Sequence, residues 1–137
     1  MKNKIIIYII ALTMLLITDV VWFSVSLDNL YNPLMGAIIA PKPNFYAAIL
    51  FYLLYSFGLC FFVIWPHMKN NKLLNKSLAA SAAIFGVVAY GTFDLTSLAI
   101  ISGFSAIVAI VDIFWGGLAA VLICMITLKI ATKLKLQ

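Results

Sequence analysis

Three aspartates carry the chemistry this sequence has to offer. Asp19, Asp94 and Asp112 each stand within a long apolar run. Asp19 and Asp112 are each followed three residues later by a tryptophan, Trp22 and Trp115. Asp94 lies in Tyr90-Gly91-Thr92-Phe93-Asp94-Leu95-Thr96-Ser97. A carboxylate at the centre of a membrane helix costs about 2.5–3.5 kcal/mol to insert. No lysine or arginine stands in the interior of an apolar run to offset it. The charge must be removed by protonation, shared through hydrogen bonds or balanced by a bound cation. The indole N–H groups of Trp22 and Trp115 and the hydroxyls of Tyr90, Thr18, Thr92 and Thr96 are the donors at hand. Tyr52, Tyr55 and Ser56 add hydroxyls on one helical face of another run. The candidate ligand- or proton-binding set is therefore Asp19, Trp22, Tyr52, Tyr55, Tyr90, Thr92, Asp94, Asp112 and Trp115. The plainer reading is that the aspartates only tie helices together by hydrogen bonds.

The elements that must position these groups follow from composition. Of 137 residues, 66% are hydrophobic and 9% are charged. Soluble domains carry about 25% charged residues, so this chain is a membrane protein. The runs cover residues 5–27, 45–66, 76–101 and 105–128. A helix of about 20 residues spans a ~30 Å hydrocarbon core at ~1.5 Å per residue. The expectation is an all-α bundle of four transmembrane helices in one domain. Asp19 and the length of the first run argue against a cleaved signal peptide.

The connections carry their own signals. Pro33, Gly36, Pro41 and Pro43 mark residues 28–44 as a loop on the membrane interface, or as a lid over the aspartates. His67 follows Pro66 at the membrane edge and reads as interfacial. Residues 67–75 form a polar basic loop, and Ser102-Gly103-Phe104 a tight turn. Gly86, Tyr90 and Asp94 recur at helical spacing on one face. So do Ser105, Ala109, Asp112, Gly116 and Ala119 on the last run. Small residues on such faces let membrane helices approach closely.

Charge orients the bundle. Lys2, Lys4, Lys69, Lys72, Lys76, Lys129, Lys133 and Lys135 fall on one side, and Lys42 on the other. The positive-inside rule then places both termini in the cytoplasm. Counting along each run puts all three aspartates about 10–12 Å below the outer surface. Cys60 and Cys124 read as small packing residues, and no metal-ligand motif is present. The split lysines form no nucleic-acid face.

Thr18-Asp19-Val20-Val21-Trp22, the tyrosine-rich run after Pro43-Asn44, the Tyr90–Ser97 stretch and Val111-Asp112-Ile113-Phe114-Trp115-Gly116 together resemble a known family. They resemble the small bacterial membrane proteins grouped as domain-of-unknown-function 2177. The resemblance covers nearly the whole chain and implies a four-span, multi-pass protein of the bacterial inner membrane. It implies no activity, and the cofactor stays unknown. Three function classes remain open: a binder or transporter of a small cationic or proton-coupled solute, a membrane enzyme or accessory factor acting on lipids, and an accessory subunit of a larger membrane complex. The expected partners are the lipid bilayer and, for transport, a homo-oligomer or a larger membrane protein.

Overall fold

The computed structural model describes residues 1–68 and 76–136. Within a bilayer core, backbone polar groups find no water, so each crossing segment must satisfy its own hydrogen bonds, as a helix does. Four helices are long and apolar enough to cross: α1 (Lys2–Met35), α2 (Phe45–His67), α3 (Lys76–Ile100) and α4 (Ala106–Lys133). They form an all-helical bundle, with no strand among the described residues. Asn44 begins α2 by accepting the Ala47 N–H (3.2 Å), and Ser105 begins α4 by accepting the Val108 N–H (3.4 Å). These caps satisfy donors that the first helical turn leaves free. Lys69 and Lys72, with Asn70, Asn71 and Asn75 of the expected basic loop, lie outside the described residues.

Successive helices run antiparallel. Lys4 at the start of α1 sits over Trp65 near the end of α2. Tyr55 of α2 meets Tyr90 of α3, and Phe62 meets Phe85. The core along the bundle combines Ile7, Ala11 and Leu15 of α1 with Leu59, Cys60 and Ile64 of α2. Leu78 and Ala82 of α3 and Ala120, Ile123, Cys124 and Leu128 of α4 complete it. Large apolar side chains such as Leu50, Leu54, Val88, Ile110 and Phe114 point outward, as suits a surface facing lipid. The turn between α3 and α4 takes Gly103 at φ +86°. That left-handed conformation favours glycine, and Ile38 of the α1–α2 connection packs against it.

The first helix differs from the expected span. It runs on past Leu27 to Met35, so the first part of the expected 28–44 loop is helical. The extension passes through a π-helical turn at Leu27–Tyr31. A second π turn, Cys60–Ile64, lies in α2. Each ends two residues before a proline, Pro33 and Pro66. In an α-helix, a proline ring collides with the carbonyl four residues earlier. Here those residues are Asn29 and Phe62, the middle residue of each π turn. The wider turn accommodates the ring, and the helix continues where the proline signal predicts an end.

Candidate functional site

The site is assembled from all four helices. Asp94 of α3 is fully buried, and Asp19 of α1 and Asp112 of α4 are 3% and 6% exposed. Two glycines set the spacing of α3 and α4. A methyl group on Gly86 would overlap the Gly116 carbonyl oxygen, and one on Gly116 would overlap the Tyr90 ring. The backbones therefore approach closely, Tyr90 lies flat against α4, and Asp94 comes within electrostatic reach of Asp112. Tyr90 also lies close enough to both Asp19 and Asp112 to sense their charges. The three carboxylates are thus linked in series, Asp19 to Asp112 through Tyr90 and Asp112 to Asp94, and this stretch of the bundle is the aspartate level. Among the described residues, no group of three His, Cys, Asp or Glu side chains converges to hold a metal ion.

Aromatic side chains close over this level. Trp22 and Trp115 stack with ring centroids 4.4 Å apart and planes 10° from parallel. The Trp22 N–H donates to the Tyr31 hydroxyl (3.1 Å), which donates to Asp112 Oδ1 (2.5 Å). On the α2 side, the Tyr52 hydroxyl faces the Asp19 carboxylate. The Tyr55 ring meets Tyr90 edge-on at 6.1 Å. Asp94 stands apart: both of its carboxylate oxygens are buried without a hydrogen-bond partner in the protein. The Trp115 N–H and the Tyr55 hydroxyl are buried and unpartnered as well.

Of the residues anticipated from sequence, Asp19, Trp22, Tyr52, Tyr55, Tyr90, Asp94, Asp112 and Trp115 come together at this level. Thr92 does not. It lies on the exposed face of α3 and donates to the Val88 carbonyl (2.7 Å). Thr18 donates to Met14, and Thr96 to Thr92 and Phe93, all at backbone carbonyls. Threonine hydroxyls within a helix reach back to the preceding turn, so none of the three donates to an aspartate. His67 is buried, with Nδ1 2.7 Å from the Val63 carbonyl and Nε2 3.5 Å from Ser77 Oγ. It joins the end of α2 to the start of α3, whereas the sequence suggests an interfacial residue. Cys60 and Cys124 are buried in the core.

Tyr31 is the site residue that the sequence reading omits. It falls in Asp28-Asn29-Leu30-Tyr31-Asn32-Pro33, whose polar residues and proline signal a loop. The usable signal is the apolar continuation Leu34-Met35 beyond Pro33. It shows that the segment still has a face to bury, and Met35 is buried.

The comparisons with known proteins bear on this arrangement. The family described as "Predicted membrane protein (DUF2177)" matches residues 4–129. The chain belongs to the DUF2177 family. The match takes in all four helices except their outermost residues, and every member of the aspartate level falls within it. No curated protein matches, and no solved structure does. The membrane class of this DUF2177 chain is thus reached both by family and by its four apolar helices.

Proposed function

We propose that this DUF2177 protein binds a small cationic solute, in exchange for a proton, at the aspartate level. The observation that carries the reading is Asp94, fully buried with neither carboxylate oxygen hydrogen-bonded. A buried carboxylate without a partner is unfavourable unless a proton or a cation neutralises it. An intramembrane ionisable group held in that state is a functional candidate by default. Trp22, Trp115, Tyr55 and Tyr90 cluster beside the carboxylates, and aromatic rings attract cations by their faces. Tyr31 and the tryptophan stack form its cover, and Asp112 and Asp19 supply the neighbouring charges. Tyr52 faces Asp19 as a hydroxyl donor.

The lysines support an orientation. Lys2, Lys4, Lys76, Lys129, Lys133 and Lys135 lie towards one end of the bundle and Lys42 towards the other. The positive-inside rule puts the lysine-rich end and both termini in the cytoplasm of a bacterial inner membrane. The cover formed by Tyr31 then faces outward. Transport, beyond binding, requires a second copy or a larger membrane partner to complete a pathway, because four helices packed on one another enclose little space.

The test uses detergent-purified full-length protein, wild type beside Asp94→Asn. Tetraethylammonium and Na+ are titrated at several pH values while tryptophan fluorescence is followed. The expected result is a saturable change with at least one of the two cations, weakened at low pH and lost in Asp94→Asn. Equal thermal unfolding of the two proteins shows that the variant is folded. A flat response to both cations and to pH, or the same response in both proteins, would reduce the aspartates to helix ties and sink this reading.

A further inference from the structure

Away from the aspartates, a groove of about 300 Å³ opens between the start of α1 and the end of α2. Met1, Lys4, Ile5, Tyr8, Phe57 and Trp65 line it. We propose that this groove seats an acyl chain of an anionic phospholipid, with the phosphate paired to Lys4.

The walls explain the chain. Ile5 and Phe57 are 57% and 48% exposed, so apolar surface lies open on the outside of the bundle. Phe57, Phe61 and Trp65 form a ladder along α2, with centroids 5.8 Å apart for the first pair and 6.4 Å for the second. The Tyr8 hydroxyl donates to the Leu53 carbonyl (3.1 Å), which fixes its ring as part of the wall and satisfies its polar atom. A lined apolar trough of this kind accepts a hydrocarbon chain and offers nothing to a polar solute.

Lys4 explains the headgroup. Its Nζ is held 5.1 Å from the centre of the Trp65 ring, at the edge of the groove. Ring and ammonium attract one another, which keeps the charge at that place. Among the described residues no carboxylate pairs with it. Asp19, Asp94 and Asp112 are buried at their own level, and Asp28 takes the Asn32 amide (3.0 Å). Lys2 is exposed one turn or less away. An uncompensated positive charge beside an apolar trough is the complement of a lipid with an anionic head. A zwitterionic lipid brings its own cation to the same place and gains less.

The test is native mass spectrometry of the full-length protein with equal amounts of phosphatidylglycerol and phosphatidylcholine of the same acyl chains. The wild type is expected to retain phosphatidylglycerol preferentially. Lys4→Gln should weaken that retention about fivefold, the effect of one lysine at an anionic surface. Lys133→Gln, a lysine outside the groove, should leave it unchanged. Phe57→Ala should weaken retention of both lipids, because it shortens the apolar wall. Equal retention of the two lipids, or an equal loss in Lys133→Gln, would overturn the site as a specific one. A protein dimer disrupted by Lys4→Gln would give the groove to a second copy and overturn it too.

Discussion

Between α3 and α4 the backbones almost touch at Gly86 and Gly116, whereas around the aspartates α1 and α2 meet the rest of the bundle through large rings and hydroxyls. The first arrangement is tight because at Gly86 the facing atom is a backbone oxygen, which cannot turn aside as a side chain can. The second is adjustable because rings and hydroxyls can be moved at modest cost. The two carboxylates in closest electrostatic contact, Asp94 and Asp112, sit on the rigid pair. The groups that cover them are Trp22 and Tyr31 of α1, with Trp115 of α4 stacked on Trp22. The bundle therefore sets a base, the close pair α3 and α4, beneath an aromatic cover.

Substitutions can break or sharpen this contrast. Gly86→Ala should have the largest effect. Its methyl would overlap a backbone oxygen and stand 2.9 Å from the Ala120 Cβ, so α3 and α4 must separate. We expect a loss of about 3 kcal/mol in thermal or denaturant unfolding in detergent. An unchanged unfolding midpoint would show the crossing to be far less rigid than the contacts imply. Tyr31→Phe should come next. It removes the bond to Asp112 and leaves the Trp22 N–H without its acceptor. About 1.5 kcal/mol is expected, near the upper end for side-chain hydrogen bonds within membranes, together with a shift in tryptophan emission. Tyr8→Phe removes one bond between α1 and α2 at the groove. A loss of about 0.6 kcal/mol should be measurable as a small drop in melting temperature.

Asp94→Asn should alter stability least, because it exchanges one buried polar group without a partner for another of the same size. Its carboxylate makes no hydrogen bond to lose. The ordering matters more than any single value. If Asp94→Asn cost more than Tyr31→Phe, Asp94 would be a structural tie, and the division between base and cover would not hold.

Much of this was legible from residue types and spacing. Four apolar runs required four helices, because lipid leaves the backbone no other local solution. Gly86 at helical spacing with Tyr90 and Asp94 announced the close face of α3. The grouping of the aspartates was legible from counting, and the structure links Asp19 to Asp112 through Tyr90 and Asp112 to Asp94. Thr92 was misplaced because a hydroxyl in the right stretch need not point inward. One residue along a helix turns the side chain by about 100°, and Thr92 sits two residues from Asp94. Tyr31 was hidden for a different reason. The proline rule is local, and the wider turn that relieves it depends on the backbone around Asn29, which the sequence pattern does not display. The groove at Lys4 was likewise out of reach, since it forms only where residues of two separate helices come side by side.

The π turn at Leu27–Tyr31 has a consequence for how this chain can change over generations. A π turn takes up one residue more than an α turn, so loss of one residue there would restore ordinary winding and leave everything downstream close to its present phase. The Pro33 ring would then meet a carbonyl, and the helix would kink or break at that point. The same deletion among residues 36–44, where the chain is no longer helical, would only shorten a connection. Deletions a few positions apart are thus errors of different kinds, one that sets a proline against its own helix and one that only changes a length.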